Sequence, residues 1–224
     1  MNKLPDIIDF LSRLSKNNNK PWFEDHKGEF KELQDYFKEL AQGLGQSIAG
    51  FDPEIARILG EKKTIKVFRI YRDARFSKDK TPYKTNFGAC IAEGGEPCCS
   101  PCYYLHIEPG DQSFIAGGMH MPTPEKLNNI RDHIAEKATD LRKVLKSPEI
   151  QKAFGGLSEY AMLKTAPKGF PKEHPDIDLL RFKSFILQHK IKDKDLKSNK
   201  FFDQILEEFR VMKPFNDYLR KAIK

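Results

Sequence analysis

Arg69, Tyr71, Asp73 and Arg75 alternate along one segment of the chain. At the two-residue period of an extended strand these four side chains share one face, opposite Phe68, Ile70, Ala74 and Phe76. A second polar alternation, Tyr104, His106 and Glu108, follows downstream. If the two polar parities meet on one antiparallel sheet, a single face gathers guanidinium groups, carboxylates and an imidazole. Guanidinium forks hold a phosphate or carboxylate through paired N–H donors. An imidazole oriented by a carboxylate serves as general acid or base. On this reading His106 is the acid/base and Asp73 or Glu108 orients it. Arg69, Tyr71, Arg75, Lys80 and Lys84 are the ligand contacts. Two arginines six positions apart on a strand stand roughly 20 Å apart at about 3.3 Å per residue, too far for one phosphate. The expected clamp is therefore Arg75 with Lys80 and Lys84, where the chain turns back. Gly117 and Gly118, on a neighbouring strand, are expected to leave room for a ligand at the backbone.

The same residues support a plainer reading, an ion-pair network in which Asp73 lies between Arg72 and Arg75 and Asp79 joins Lys80 or Lys84. Arg72 falls on the apolar parity, which makes it the structural arginine of the set.

The charge distribution singles out the same stretch. The chain of 224 residues carries a formal charge of +7, with 39 Lys and Arg against 32 Asp and Glu. Residues 62–86 alone hold nine basic and two acidic side chains, so the remainder is balanced. A localised cationic segment suits an anionic partner, or alternatively a charged edge strand that resists self-association.

Other chemistries lack their signatures. There is no Gly-x-Ser-x-Gly, His-Glu-x-x-His, Walker loop or dinucleotide fingerprint. Cys98, Cys99 and Cys102 crowd one Pro-rich loop, with Cys90 nearby. Structural zinc uses two separated ligand pairs, so neither a metal nor a cofactor is expected, and the thiols read as free. Hydrophobic residues make up 39% and charged residues 32%, a globular balance. No apolar run approaches the roughly 20 residues of a membrane span, and the first residues lack a secretory pattern. The expectation is a cytoplasmic protein without a membrane partner; oligomeric state is not legible.

The elements that must position these residues follow from periodicity. Leu4, Ile7, Leu11 and Leu14 give a helical stripe, and His26, Phe30, Leu33, Phe37, Leu40 and Leu44 give a longer one over about 21–44. His26, on that apolar stripe, reads as a core histidine. A short helix is expected at Pro53–Leu59. Four strands follow, at Ile65–Phe76, Asn86–Ala92, Tyr103–Glu108 and Ser113–His120. Helices return at 124–146, Pro148–Phe154 and 198–212, where Pro214 kinks or restarts the last. Short strands are expected at Met162–Thr165 and Ser184–Gln188. Strands without intervening helices argue for antiparallel pairing. The predicted fold is α+β in a single domain, 1–224. Its antiparallel sheet has four or more strands at about 64–121, packed on one face by the long N-terminal, middle and C-terminal helices.

The run from Arg69 to Thr85, Arg-Ile-Tyr-Arg-Asp-Ala-Arg-Phe-Ser-Lys-Asp-Lys-Thr-Pro-Tyr-Lys-Thr, resembles the core motif of the uncharacterised bacterial family called domain of unknown function 2461. Phe10-Leu11 through Asn17-Asn18-Asn19 to Trp22-Phe23, Tyr103–Pro109, Ala166–Phe170, His174-Pro175 and Leu179–Lys183 are similar to it as well. The resemblance covers nearly the whole chain and implies one domain without an assigned activity. The Cys98–Cys102 cluster and His120 fall outside the family pattern.

Three functions compete on this sequence. The first is binding or conversion of a small anionic molecule, phosphorylated ones included, at the motif 69–84. The second is a structural or partner-binding scaffold with a charge-paired motif. A nucleic-acid module ranks third, because the rest of the chain is balanced in charge.

Overall fold

The computed structural model describes residues 2–61, 63–73, 75 and 78–224. Helix α1 (Leu4–Lys16) buries Leu4, Ile7, Phe10, Leu11 and Leu14, the stripe its spacing sets. Asn19 caps α2 (Lys20–Asp25), its side-chain oxygen accepting the Trp22 N–H at 3.1 Å. The chain bends at His26, and α3 (Lys27–Ala49) buries Phe30, Leu33, Phe37, Ala41, Leu44 and Ile48. One helix was expected over this stretch. Two form because the His26 ring stacks on Trp22 at 3.9 Å and its Nδ1 lies 2.8 Å from the Trp22 carbonyl, a half-buried helix-end role rather than a core one. Helix α4 (Pro53–Ile58) starts on Asp52, whose carboxylate accepts the Glu54 N–H.

Five strands then form one antiparallel sheet in chain order: β1 (Ile65–Val67), β2 (Phe87–Ile91), β3 (Cys102–Ile107), β4 (Ser113–Met119) and β5 (Phe185–Ile191). Between β4 and β5 lie α5 (Pro124–Leu145), α6 (Pro148–Phe154) and α7 (Ile177–Leu180). Helix α8 (Phe201–Ala222) closes the fold and runs on through Pro214, past the expected stop. The protein is therefore α+β, with an antiparallel sheet and long helices. The short strand expected at Met162–Thr165 is reduced to an isolated bridge between Met162 and Phe182.

The two faces of the sheet differ. On one, Phe87, Ala89, Ile91, Tyr103, Leu105, Ile107, Ile115, Met119, Phe185 and Leu187 are buried in the hydrophobic core, against which α3 and α8 pack. Helix α8 comes so close that a Cβ on Gly117 would stand 2.6 Å from the Met212 sulfur, and one on Gly118 2.0 Å from the Phe185 carbonyl oxygen. Their Cβ positions are filled by α8 and β5, while both glycines also line the cavity on the other face of the sheet. At one edge of this core lies a buried polar cluster. Asp52, fully buried, accepts the Tyr103 hydroxyl at 2.7 Å and both Arg220 Nη groups at 2.7 and 3.1 Å.

The other face carries Cys90, Cys102, Tyr104, His106, Phe114, Ala116, Ile186 and Gln188, set side by side by the register Cys90↔Tyr104, His106↔Phe114, Tyr104↔Ala116 and Ala116↔Gln188. No long helix among the described residues covers this face; its neighbours are loops.

The expected strand Ile65–Phe76 ends at Val67. The Phe68 N–H still reaches the Gly88 carbonyl at 2.9 Å, but the chain then pairs with its own return limb: Arg72 N–H to Pro82 O at 2.9 Å and Lys84 N–H to Ile70 O at 2.7 Å. Ala74 and Phe76, assigned to the same strand, lie outside the described residues. With the strand ending at Val67, two-residue parity no longer sets where Arg69, Asp73 and Arg75 lie relative to His106.

Candidate functional site

The open face of the sheet forms the floor of a cavity of about 600 Å³. Phe68, Tyr104 and Phe114 supply aromatic wall, Ala116 and Ile186 aliphatic floor, and Asn86, Ser158 and Gln188 neutral polar groups. Pro97, His120 and Tyr160 stand at the rim, where the His120 and Tyr160 rings lie 5.9 Å apart. A mostly apolar concavity with a few convergent polar groups is the usual form of a small-molecule site.

Lys84 is the basic side chain in this lining apart from the imidazoles. Its Nζ lies 5.7 Å from the centre of the Phe68 ring. Among the described residues no carboxylate lies within ion-pair distance of it, whereas Lys66 pairs with Glu96. Burial, then the nearby positive charges of Arg69 and Lys66, lower the Lys84 pKa.

Beside it runs a hydrogen-bonded chain. The His106 ring is 9% exposed and stacks on Phe114 at 4.5 Å. Its Nε2 lies 2.8 Å from Glu108 Oε2, and its Nδ1 lies 3.3 Å from the Tyr104 hydroxyl. Glu108 Oε1 accepts the Thr85 hydroxyl at 3.0 Å. Burial lowers the His106 pKa, against the opposing pull of Glu108. Burial thus favours the neutral imidazole. Burial also raises the pKa of Tyr104, keeping its hydroxyl protonated. The Tyr104 hydroxyl rests over Gly88, where a Cβ would stand 2.6 Å from it.

Residues of the predicted site divide into two groups. Lys84, His106 and Glu108 come together on the open face, and Arg69 lies close enough to Lys84 to act on its charge. Tyr71, Asp73, Arg75 and Lys80 stay on the loop that precedes Lys84 and are exposed to solvent. There Arg75 holds Asp73 at 2.9 and 2.6 Å, and Lys80 reaches the Arg75 carbonyl at 3.4 Å. Arg72 bonds Asp79 and Thr81, which makes it a brace of the loop, as its apolar parity suggested. Asp73 is engaged by Arg75 on that loop, and the strand whose parity would have joined it to His106 ends at Val67.

What fixes Lys84 is a set of contacts that sequence reasoning missed. The Asn18 side chain acts as a surrogate strand toward Tyr83, donating to its carbonyl at 2.9 Å and accepting its N–H at 3.1 Å. The Tyr83 ring stacks on Phe23 at 4.0 Å. The run Asn17-Asn18-Asn19 reads from sequence only as a helix break; a side-chain amide paired with a distant backbone leaves no local signal. Phe68, Phe114 and Gln188 were likewise legible as strand residues but not as cavity walls.

The thiols sit beside the cavity. Cys90 and Cys102 are buried and free, and the Cys98 and Cys99 sulfurs are 3.5 Å apart, also free. The neighbouring Cys102 thiol, then burial, pushes the Cys90 thiol well up, away from thiolate character.

Residues 6–218 match the family described as conserved hypothetical protein DUF2461. The chain belongs to that family. The described residues of Arg69–Thr85 lead up to Lys84, and Tyr103–Pro109 contains most of β3, with Tyr104 and His106 on the strand and Glu108 just past its end. No curated protein and no solved structure matches the chain. No helix among the described residues is long and apolar enough to cross a membrane.

Proposed function

We propose that the protein binds a small organic anion with a flat apolar body in the cavity on the open face of the sheet. Lys84 meets the charge, and Phe68, Tyr104 and Phe114 meet the body. The observation that carries this reading is the Lys84 ammonium, half-buried in an aromatic cavity with no carboxylate at ion-pair distance among the described residues. A partly desolvated charge is stabilised by a partner of opposite sign, and a ligand anion is the partner this geometry admits. The basic motif then has two jobs. The described residues of its 72–81 portion are braced by the pairs Arg72–Asp79 and Arg75–Asp73, which favours the scaffold reading for them alone. Its end presents Lys84. Four free thiols accord with a reducing compartment, the cytoplasm of our reading.

Calorimetric titration with phenyl phosphate and phenylacetate tests the proposal. Hydrogen bonds to a charged group contribute about 1.5–3 kcal/mol, so Lys84→Met is expected to weaken binding by about 10- to 150-fold. Equal binding by the wild type and Lys84→Met, or no binding of either probe, overturns it.

A further inference from the structure

The imidazole of His106 has no nitrogen left for a ligand. Glu108 occupies Nε2 at 2.8 Å, and the Tyr104 hydroxyl faces Nδ1 at 3.3 Å. Glu108 is itself engaged at both oxygens, by His106 and by Thr85. A carboxylate only accepts, so Nε2 carries the hydrogen, and a neutral imidazole then presents an acceptor at Nδ1. The Tyr104 O–H therefore points inward to His106. What it turns toward the cavity is an oxygen lone pair. The 3.3 Å separation is loose for a hydroxyl donor, as is common in a site without its ligand.

Resting on the anion-binding reading above, we infer that Tyr104, and not His106, touches the ligand as a hydrogen-bond acceptor, and that the ligand is an organic anion that also carries a hydroxyl or N–H donor. Phe68 adjoins both contact residues. Its ring centre is 5.7 Å from Lys84 Nζ and 6.1 Å from the Tyr104 ring. A ligand that meets both residues carries its anion and its donor on one small apolar body, and a hydroxyaryl acid is the simplest such molecule. His106 and Glu108 are positioning residues: they orient the Tyr104 hydroxyl and set its polarity without meeting the ligand. A ligand anion lacking the donor leaves the Tyr104 oxygen without its partner and binds less well.

Matched probes separate this inference from the reading beneath it. Dissociation constants are measured for 4-hydroxyphenylacetate and phenylacetate on the wild type, Tyr104→Phe and Lys84→Met. The histidine ring nitrogens are read by 15N NMR. One neutral hydrogen bond contributes about 0.5–1.5 kcal/mol, a preference of about 2- to 13-fold for the hydroxylated acid. Tyr104→Phe is expected to abolish that preference while still binding phenylacetate, and Lys84→Met to weaken both acids alike. His106 is expected as the Nε2–H tautomer, with its Nδ1 signal displaced in Tyr104→Phe. A wild type that binds both acids equally through Lys84, or a Tyr104→Phe variant that keeps the preference, overturns the inference and leaves the anion site standing. An Nδ1–H tautomer overturns it as well. Failure of both acids to bind at millimolar concentration overturns the two together.

Discussion

Gly88→Ala puts the proposed arrangement under direct strain. The added Cβ would stand 2.6 Å from the Tyr104 hydroxyl, 3.3 Å from its ring carbon and 3.5 Å from Phe68. Gly88 lies opposite His106 on the neighbouring strand, so the methyl enters beside the His106–Tyr104 bond. Two effects oppose each other. Replacing a strand glycine by alanine stabilises by about 0.4–1 kcal/mol through the unfolded chain. Overpacking costs about 1–3 kcal/mol. The net expectation is a loss of about 1–2 kcal/mol, or roughly 2–8 °C in Tm for a chain of this size. The contact at issue is the hydroxyl, and Tyr104→Phe removes that atom. In the Tyr104→Phe background Gly88→Ala is therefore expected to cost about 1 kcal/mol less, a coupling within the range of contacting residues. Thermal denaturation of the four proteins of this cycle gives the coupling, and the His106 Nδ1 resonance reports whether the hydroxyl has moved. Additive effects, with an unmoved Nδ1 signal in Gly88→Ala, would refute the placement of Tyr104 over Gly88.

Three further outcomes follow from the contacts. Asp52→Ala strands the Arg220 guanidinium and the Tyr103 hydroxyl in a buried setting; a cost of about 3–5 kcal/mol and a Tm loss of roughly 6–20 °C are expected from calorimetry. Burial raises the Asp52 pKa, but the Arg220 guanidinium more than offsets it, so the folded value lies below the ordinary one. Its contribution is therefore complete above the unfolded pKa of about 4 and is lost as pH falls through the folded value, which acid unfolding of wild type against Asp52→Ala measures. Asn18→Ala deletes both bonds to the Tyr83 backbone; a loss of about 1–3 kcal/mol is expected, with faster amide exchange at Arg72, Tyr83 and Lys84. Arg75→Ala, whose side chain is 77% exposed, is expected to shift Tm by no more than about 2 °C and to leave probe affinity unchanged, since exposed ion pairs contribute little.

The fold was largely legible because periodicity is a local property. The stripe Leu4, Ile7, Leu11 and Leu14 becomes the buried face of α1, and Tyr104 and His106 survive as one parity of β3, with Glu108 just past its end. The polar alternation from Arg69 to Arg75 misled, because period two describes any extended chain, whether it pairs with a sheet or with its own return limb. Whether Ile70 bonds to β2 or to Lys84 depends on a partner distant in sequence, and charge patterning does not encode it. His106 and Glu108 were legible as neighbours two residues apart on a strand. That Tyr104 blocks the remaining nitrogen depends on the rotamers of two rings stacked among Phe68 and Phe114, a tertiary fact. The bend at His26 is of the same kind, since stacking on Trp22 overrides a continuous helical stripe.

The central claim is that the ligand sits on the open face of the sheet and not on the arginine loop. Amide chemical-shift mapping during titration with 4-hydroxyphenylacetate tests this most directly. The expected shifts cluster at Phe68, Lys84, Tyr104, His106, Ala116 and Gln188, saturate together, and vanish in Lys84→Met. Shifts confined to Arg72–Asp73 and Lys78–Thr81, with the β3 and β4 amides unmoved, would contradict the account.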